Sequence, residues 1–152
     1  MKNKEYYMNL ALKEAQKAKL EDEVPVGCVI VLNGKVIARA HNQKEKKNMA
    51  TAHAEVLAIQ KASKKLGNWC MNECELFVTL EPCMMCAGLI SQARIKKVYY
   101  GTKDPKGGMM ESLINIKEVP HVGAYPREIE DGILQEECAK ILSTFFKEKR
   151  KK

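Results

Sequence analysis

The sequence predicts an α/β fold in which one β-sheet is covered by helices on both faces. Helical and β-rich segments alternate along the chain, as in that fold class. The chain has 152 residues, a length typical of one domain. Hydrophobic residues make up 45% and charged residues 30%, which excludes a disordered chain. We therefore expect residues 1–152 to form a single domain, with residues 147–152 as a basic C-terminal tail of the last helix.

The first elements are a helix and a hairpin. Apolar residues recur at spacings of three and four over about 3–20, which predicts an amphipathic helix. The apolar, β-branched run 24–32 and the segment 35–40 predict two strands. Between them lies Asn33-Gly34, a dipeptide typical of a two-residue hairpin turn.

The remaining elements continue the alternation. Their periodicity predicts helices over 52–66, 84–93 and about 133–146, and strands over 75–80 and 95–100. Prolines and glycines are frequent between Asp104 and Arg127, so we expect loops there, with a short helix near 112–116 and a short edge strand.

The net charge is +7, and the last six residues carry five basic side chains and one acidic one. Such an end is typical either of a solvated tail or of a contact with nucleic acid or an anionic surface. No apolar run approaches the roughly 20 residues of a membrane span, and the first residues lack the apolar stretch of a secretory signal. We expect a cytoplasmic protein with no membrane partner.

The six cysteines are expected to be reduced thiols, because disulfides are rare in that compartment. Cys28 and Cys138 lie in apolar patterns and are expected in the core. The two cysteines at positions 70 and 74 flank a turn, and we assign them no chemistry. Cys83 and Cys86 form a C-x-x-C at the predicted start of a helix, which is typical of a metal site or a redox dithiol.

Two separate segments supply the side chains of a catalytic metal site. Zn²⁺ prefers four tetrahedral ligands, and a catalytic site typically takes three from the protein and leaves the fourth position for water. His53, Cys83 and Cys86 are three such ligands. Cys74 and His41 are the nearest candidates for a fourth, and neither is convincing. We predict one catalytic Zn²⁺ per subunit, with a structural zinc or a redox dithiol as the alternatives.

Glu55 completes the predicted site. It lies two residues from His53, so it faces a different side of the helix and need not bind the metal. A carboxylate beside a zinc-bound water can take its proton and pass it on. A structural zinc has no need of such a carboxylate, so Glu55 favours catalysis over a non-catalytic, zinc-stabilised binding protein.

The His-x-Glu and Pro-Cys-x-x-Cys motifs are the signature of zinc-dependent deaminases, for which tRNA adenosine deaminases are a known example. The chain resembles the bacterial tRNA-specific adenosine deaminases of the cytidine and deoxycytidylate deaminase superfamily. The resemblance runs from the first helix to the last and is closest over 23–105. It is carried by the segments 23–27, 38–42, 51–55, 66–69, 79–88, 104–108, 112–113, 132–134, 137–138 and 145–146.

The resemblance implies a three-layer α/β/α cytidine-deaminase-like fold, with one mixed sheet of about five strands, and a homodimer. It implies hydrolytic deamination of adenosine to inosine at the wobble position of a tRNA anticodon, by a zinc-activated water with Glu55 as the catalytic residue. The anticodon stem-loop would be the partner. Substrate binding would involve Asn42, Ala54, Asp104, Pro105 and Lys106, and further RNA contacts would come from the last helix with Phe145, Phe146, Lys149 and Arg150.

Two segments depart from the family's usual pattern. Met109, Met110 and Glu111 stand where the family usually has small residues, and 123–127 stands where it often shows Asn-His-Arg. Both concern RNA or subunit contacts and not the zinc chemistry. The main alternative function is a zinc-dependent deaminase of a free nucleobase or nucleoside, such as guanine, cytosine or cytidine. The basic tail, the basic stretch 44–47 and the 104–106 segment favour RNA.

Overall fold

The computed structural model describes residues 2–120 and 124–151. In this part of the chain the helices are α1 (Lys4–Leu20), α2 (Lys44–Lys47), α3 (Ala54–Leu66), α4 (Met84–Gln92) and α5 (Gln135–Arg150). The strands are β1 (Gly27–Leu32), β2 (Lys35–His41), β3 (Cys74–Leu80), β4 (Lys97–Thr102) and β5 (Glu128–Glu130). Gly123 of the unusual 123–127 segment and Lys152 of the basic tail lie outside the described residues.

The strands form one mixed sheet in the order β2-β1-β3-β4-β5, as the resemblance implied. β1 is antiparallel to both β2 and β3. β4 is parallel to β3, and β5 is parallel to β4. It follows that β2, β3 and β4 run in the same direction and end at one edge of the sheet.

The predicted hairpin turn is present between β1 and β2. Asn33 has φ 52° and Gly34 has φ 79°, the left-handed conformations that this turn requires. The Tyr7 hydroxyl donates to the Gly34 carbonyl at 2.6 Å, which connects the turn to α1.

Alternate residues of β1 pack into two hydrophobic clusters, as a strand with two buried faces requires. Cys28 and Ile30 join side chains of α3 and α4, whereas Val29 and Val31 join side chains of α1 and α5. Helices therefore cover both faces of the sheet, which confirms the predicted three-layer fold. Cys28 and Cys138 are both fully buried, as expected.

The helix predicted near 112–116 is wrong. The structure has a 3₁₀ turn at Ile116–Glu118 instead. The N–H groups of Leu113 and Ile116 donate to the carbonyls of Gly108 and Met110, five and six residues earlier, so neither makes the bond to the fourth preceding residue that an α-helix requires. The strand predicted over 95–100 also has different bounds, since β4 starts at Lys97 and continues to Thr102.

The last helix, α5, continues through the basic residues to Arg150, so most of the basic tail is helical. Lys149 Nζ lies 2.6 Å from Asp22 Oδ2, which joins the end of α5 to the turn before β1. Among the described residues, no helix is both long enough and apolar enough to cross a membrane.

Candidate active site

The predicted site residues gather where β2, β3 and β4 end. Asn42 directly follows β2, Cys83 follows β3 by three residues, and Asp104 follows β4 by two. The loop after β2 leads to His53 at the start of α3. Crevices outside the carboxyl ends of strands are the usual ligand sites of open α/β sheets.

His53 and Cys83 occupy equivalent positions, each directly before a helix. His53 precedes α3 and Cys83 precedes α4, and neither side chain caps its helix. His53 Nδ1 lies 3.7 Å from Cys83 Sγ and 3.6 Å from Cys86 Sγ. The ligand atoms of the three residues all lie within 4.8 Å of one another, so the structure brings together the three predicted ligands.

These distances fit a tetrahedral metal centre. Bonds of about 2.3 Å to sulfur and about 2.1 Å to nitrogen place the two ligand atoms about 3.6 Å apart. The two observed nitrogen–sulfur separations, 3.7 and 3.6 Å, agree with that value. The cluster is therefore compatible with a metal ion.

Neither candidate for a fourth ligand joins the cluster. Cys74 is the first residue of β3, at the opposite end of that strand from Cys83. His41 is held by two carboxylates, with Nδ1 2.9 Å from Glu14 and Nε2 2.9 Å from Glu21. Three protein ligands are typical of a catalytic metal site.

The three side chains of the cluster shift one another's pKa values. A hydrogen bond from the Cys86 thiol, together with one from His53, lowers the pKa of Cys83 to about 3. Its hydrogen bond to Cys83 and its burial raise the pKa of Cys86. The hydrogen bond to Cys83 also raises the pKa of His53. Cys83 is thus a thiolate at neutral pH, the form that binds a metal.

Glu55 lies in the first turn of α3, and only 4% of it is exposed. Burial raises the pKa of its carboxyl to about 7. A group with a pKa near neutrality can both accept and release a proton during one reaction. Glu55 lines the same cleft as His53 and Cys83, so its carboxylate faces the space beside the metal ligands.

The cleft has a volume of about 1070 Å³, at the upper end of the range for small-molecule sites, so it has room for more than one base. The predicted residues that line it are Asn42, His53, Glu55, Cys83, Asp104, Phe145, Phe146 and Lys149. Lys106 and Arg150 line an adjoining cleft that shares Asp104 and Lys149 with the first. Ala54 is buried, and its N–H donates to Asn42. Pro105 is exposed and lines neither cleft.

The model of the MafB19-like deaminase family matches residues 2–150. The tRNA-specific adenosine deaminase of Bacillus subtilis (strain 168) is 47% identical over 152 residues, which cover 100% of this chain and 94% of that protein. The one from Agrobacterium fabrum is 46% identical and covers 99% and 98% of the two chains. The chain belongs to the tRNA-specific adenosine deaminase family.

Solved structures agree with this membership. A structure from studies of A-to-I editing by tRNA:A34 deaminases has a TM-score of 0.87 and 46% identity, over 90% of this chain and 99% of that chain. Guanine deaminase from Bacillus subtilis has a TM-score of 0.65 and 40% identity, over 67% of this chain and 66% of that one. Guanine deaminase from Nitrosomonas europaea, at a TM-score of 0.79 and 19% identity over 95% and 85% of the two chains, shares the fold alone.

Two buried acids of this deaminase were not predicted from the sequence. Glu23 and Glu81 are each 2% exposed, and both line the cleft. Glu23 accepts hydrogen bonds from the backbone of Glu45 at 3.0 Å and Lys46 at 2.7 Å, so it holds the start of α2. Glu81 accepts from the loop after β4. For Glu81, the sequence offered one signal: an acidic residue between the buried strand β3 and the C-x-x-C.

Proposed function

We propose that this deaminase converts adenosine to inosine at the wobble position of a tRNA anticodon, with one Zn²⁺ per subunit held by His53, Cys83 and Cys86. One observation carries the proposal: the buried Glu55 lines the same cleft as His53 and Cys83, two of the three side chains of the metal-binding cluster. The full-length similarity to tRNA-specific adenosine deaminases supports the substrate.

The donor set supports zinc as the metal. Two sulfur ligands and one imidazole suit Zn²⁺ and disfavour the hard cations Mg²⁺ and Ca²⁺. When bound by His53, Cys83 and Cys86, zinc would act as a Lewis acid and lower the pKa of water. His53 and Cys83 each lie at a helix N-terminus, where the helix dipole stabilises the Cys83 thiolate.

Glu55 is the proton carrier of the reaction. Its carboxylate accepts a proton as water attacks C6 of adenine and delivers that proton to N1. It then accepts the proton of the new C6 hydroxyl and delivers it to the departing amine. Water and adenosine thereby yield inosine and ammonia, with no other reactant. Burial, which raises the pKa of Glu55 to about 7, suits it to both directions of transfer.

Asn42 and the last helix orient the substrate. Asn42 lines the same cleft as His53, where its side chain would hydrogen-bond to an extruded base. Phe145 and Phe146 form an apolar wall of the same cleft, and aromatic rings of this kind stack on unpaired bases. Asp104 lies at the rim, where the adjacent turn would contact neighbouring nucleotides.

Basic side chains that line the two clefts support RNA as the partner. Lys44, Lys46 and Lys149 line the cleft, and Lys106 and Arg150 line the adjoining one. Such groups bind the phosphates of an anticodon stem-loop. Because tRNA is the proposed substrate, the proposal places the enzyme in the cytoplasm.

A homodimer is part of the proposal. Met84 is 71% exposed, Met85 is 38% exposed and Trp69 is 61% exposed. Met84 and Met85 lie between the two cysteine ligands, so a second copy that covers them would stand beside the cleft. Sedimentation of the wild type and of Met84→Lys tests this, with a dimer expected for the first and a monomer for the second. A monomeric wild type would contradict it.

The function is tested by parallel assays on an anticodon stem-loop with adenosine at the wobble position and on free adenosine, cytidine and guanine. We expect inosine in the stem-loop and none from the free compounds. The control is the same stem-loop with guanosine at that position. The similarity to a guanine deaminase makes free guanine the informative competitor, and comparable turnover of guanine would support the small-molecule alternative.

A further inference from the structure

The buried carboxylate of Glu81 connects the metal-binding segment to the loop after β4. Glu81 precedes Cys83 by two residues, and it accepts five hydrogen bonds from that loop. Oε1 accepts from the N–H of Asp104 at 3.1 Å and from the hydroxyl of Ser112. Oε2 accepts from the N–H groups of Met110 at 3.2 Å, Glu111 at 2.8 Å and Ser112 at 2.9 Å.

The loop is packed closely around this carboxylate. A Cβ atom at Gly108 would lie 2.3 Å from Glu81 Oε1 and 2.7 Å from the Asp104 carbonyl oxygen. Real Cβ atoms do not approach other atoms so closely, so glycine is required at this position. The backbone of the loop therefore depends on the Glu81 side chain for its path.

Asp104 connects the Glu81 carboxylate to the turn formed by residues 104–107. Asp104 Oδ1 accepts from the N–H groups of Lys106 and Gly107, both at 3.1 Å, so the turn closes on the Asp104 side chain. Asp104 also lines the cleft that holds His53 and Glu55. The hydrogen bond from Asp104 N–H to Glu81 is thus the contact that sets where this turn meets the cleft.

We propose that Glu81 is a positioning residue for substrate binding, which acts by holding the 104–107 turn through the N–H of Asp104. The substrate-binding turn and the Cys83 ligand then share one anchor at the end of β3. The inference rests on the proposed function, because it takes this turn to contact RNA beside the extruded base.

Glu81→Gln should remove the hydrogen bond to Asp104 and keep those to residues 110–112. Glutamine has the shape of glutamate but only one acceptor oxygen. Three N–H groups at 110–112 require that oxygen at the Oε2 position, so the amide nitrogen takes the Oε1 position. There the Ser112 hydroxyl can rotate and accept, whereas the Asp104 N–H can only donate and loses its acceptor.

The same loop offers a matched control. The Tyr100 hydroxyl donates to Glu111 Oε1 at 2.5 Å, which is a side-chain contact of this loop that does not involve Glu81. Tyr100→Phe removes that contact and leaves the five hydrogen bonds to Glu81 in place. A general loosening of the loop would affect both variants, whereas the proposed role affects Glu81→Gln alone.

The experiment uses the full, zinc-loaded chain and the wobble-adenosine stem-loop. For Glu81→Gln we expect KM to rise about tenfold, the effect of losing one hydrogen bond to a charged group, with kcat and zinc content near those of the wild type. Tyr100→Phe should keep the wild-type KM. Asp104→Ala removes the Oδ1 acceptor that closes the 104–107 turn, so it raises KM by itself. Its combination with Glu81→Gln should cost no more than the larger single effect.

Amide hydrogen exchange supplies a readout that is independent of activity. In Glu81→Gln the amides of Asp104, Lys106 and Gly107 should exchange faster, while those of β3 keep their protection. Unchanged exchange at 104–107, an unchanged KM, or additive effects of the two substitutions would each overturn the proposal, as would a loss of zinc. A wild type that does not deaminate the stem-loop overturns the proposed function instead, and the exchange result then decides whether Glu81 anchors the turn.

Discussion

Asn42 caps the helix that follows His53, because the Ala54 N–H donates to Asn42 Oδ1 at 2.7 Å. His53 occupies the N-cap position of α3, yet its side chain makes no capping hydrogen bond. The cap comes from the residue after β2, which leaves the His53 imidazole available to a metal. The Asn42 oxygen is engaged by this bond, so its Nδ2 group is the part that can donate to a base in the cleft.

Asn42→Asp should separate the capping role from the binding role. A carboxylate still accepts from the Ala54 N–H and is favourable at a helix N-terminus, so Tm should stay near the wild-type value. The donor is lost, so kcat/KM on the stem-loop should fall about tenfold or more. Thermal unfolding and steady-state assays check both outcomes.

The control for this prediction is Asn42→Ala, which loses the cap as well as the donor. It should lower both Tm and kcat/KM, with the loss of the cap costing about 1 kcal/mol of stability. An Asn42→Asp variant that keeps the wild-type kcat/KM would show that Asn42 donates nothing to the substrate.

Glu55→Gln should keep the metal and the fold but lose about 10²–10⁴-fold in deamination rate, the usual contribution of a general acid–base group. Single-turnover assays and metal analysis of the same sample check this. Glu14→Gln is a matched control, since Glu14 is also a buried glutamate but its partners are His41 and Lys17. Turnover by a zinc-containing Glu55→Gln variant at the wild-type rate would exclude the proton-carrier role.

The metal cluster and most elements could be predicted because their signals are local. The C-x-x-C places Cys83 and Cys86 one helical turn apart, and the continuous apolar, β-branched run 24–32 predicts the strand β1, which has two buried faces in the structure. The Asn33-Gly34 dipeptide alone indicates the hairpin, and the structure shows both residues in the required conformation. Only the pairing of His53 with the cysteines spans a long stretch of chain, and the chemistry of the ligands was sufficient to predict it.

The contacts of Glu81 could not be predicted, because its partners are backbone groups 23 to 31 residues away in a loop without periodicity. The wrong helix near 112–116 lies in the same loop, where the N–H groups of Leu113 and Ile116 donate to carbonyls five and six residues earlier. Met110 and Glu111, which depart from the family's pattern, also have structural roles: Met110 is fully buried, and Glu111 accepts from Tyr100. A loop whose hydrogen bonds go to one distant side chain leaves no pattern in its own sequence.

Removal of the metal should abolish deamination and lower Tm, because the metal binds the folded state alone. Dialysis against a zinc chelator, followed by addition of Zn²⁺ or Mg²⁺, checks this. We expect Zn²⁺ to restore activity and Mg²⁺ to fail, since thiolate and imidazole ligands do not suit a hard cation.

A cysteine outside the cluster provides the control for the metal site. Cys86→Ser should lose zinc and activity together, whereas Cys70→Ser, which changes a cysteine outside the metal cluster, should keep both. Full activity of the wild type after verified removal of every metal would contradict the role of the cluster.

Lys149 should bind RNA more strongly than its neighbours on α5, because it alone among the four basic residues 147, 149, 150 and 151 lines the main cleft. Its ion pair with Asp22 is exposed, and such pairs contribute about 0–1 kcal/mol, so a phosphate can replace the carboxylate. Lys149→Ala should therefore weaken stem-loop binding and reduce the slope of log affinity against log salt by about 1.

Lys147→Ala, which removes the same charge from an exposed position outside the cleft, should leave the slope near its wild-type value. Asp22→Asn should tighten binding, because it removes both the competing carboxylate and a negative charge at the opening. Equal effects of the two lysine substitutions would show that the end of α5 acts only through its total charge.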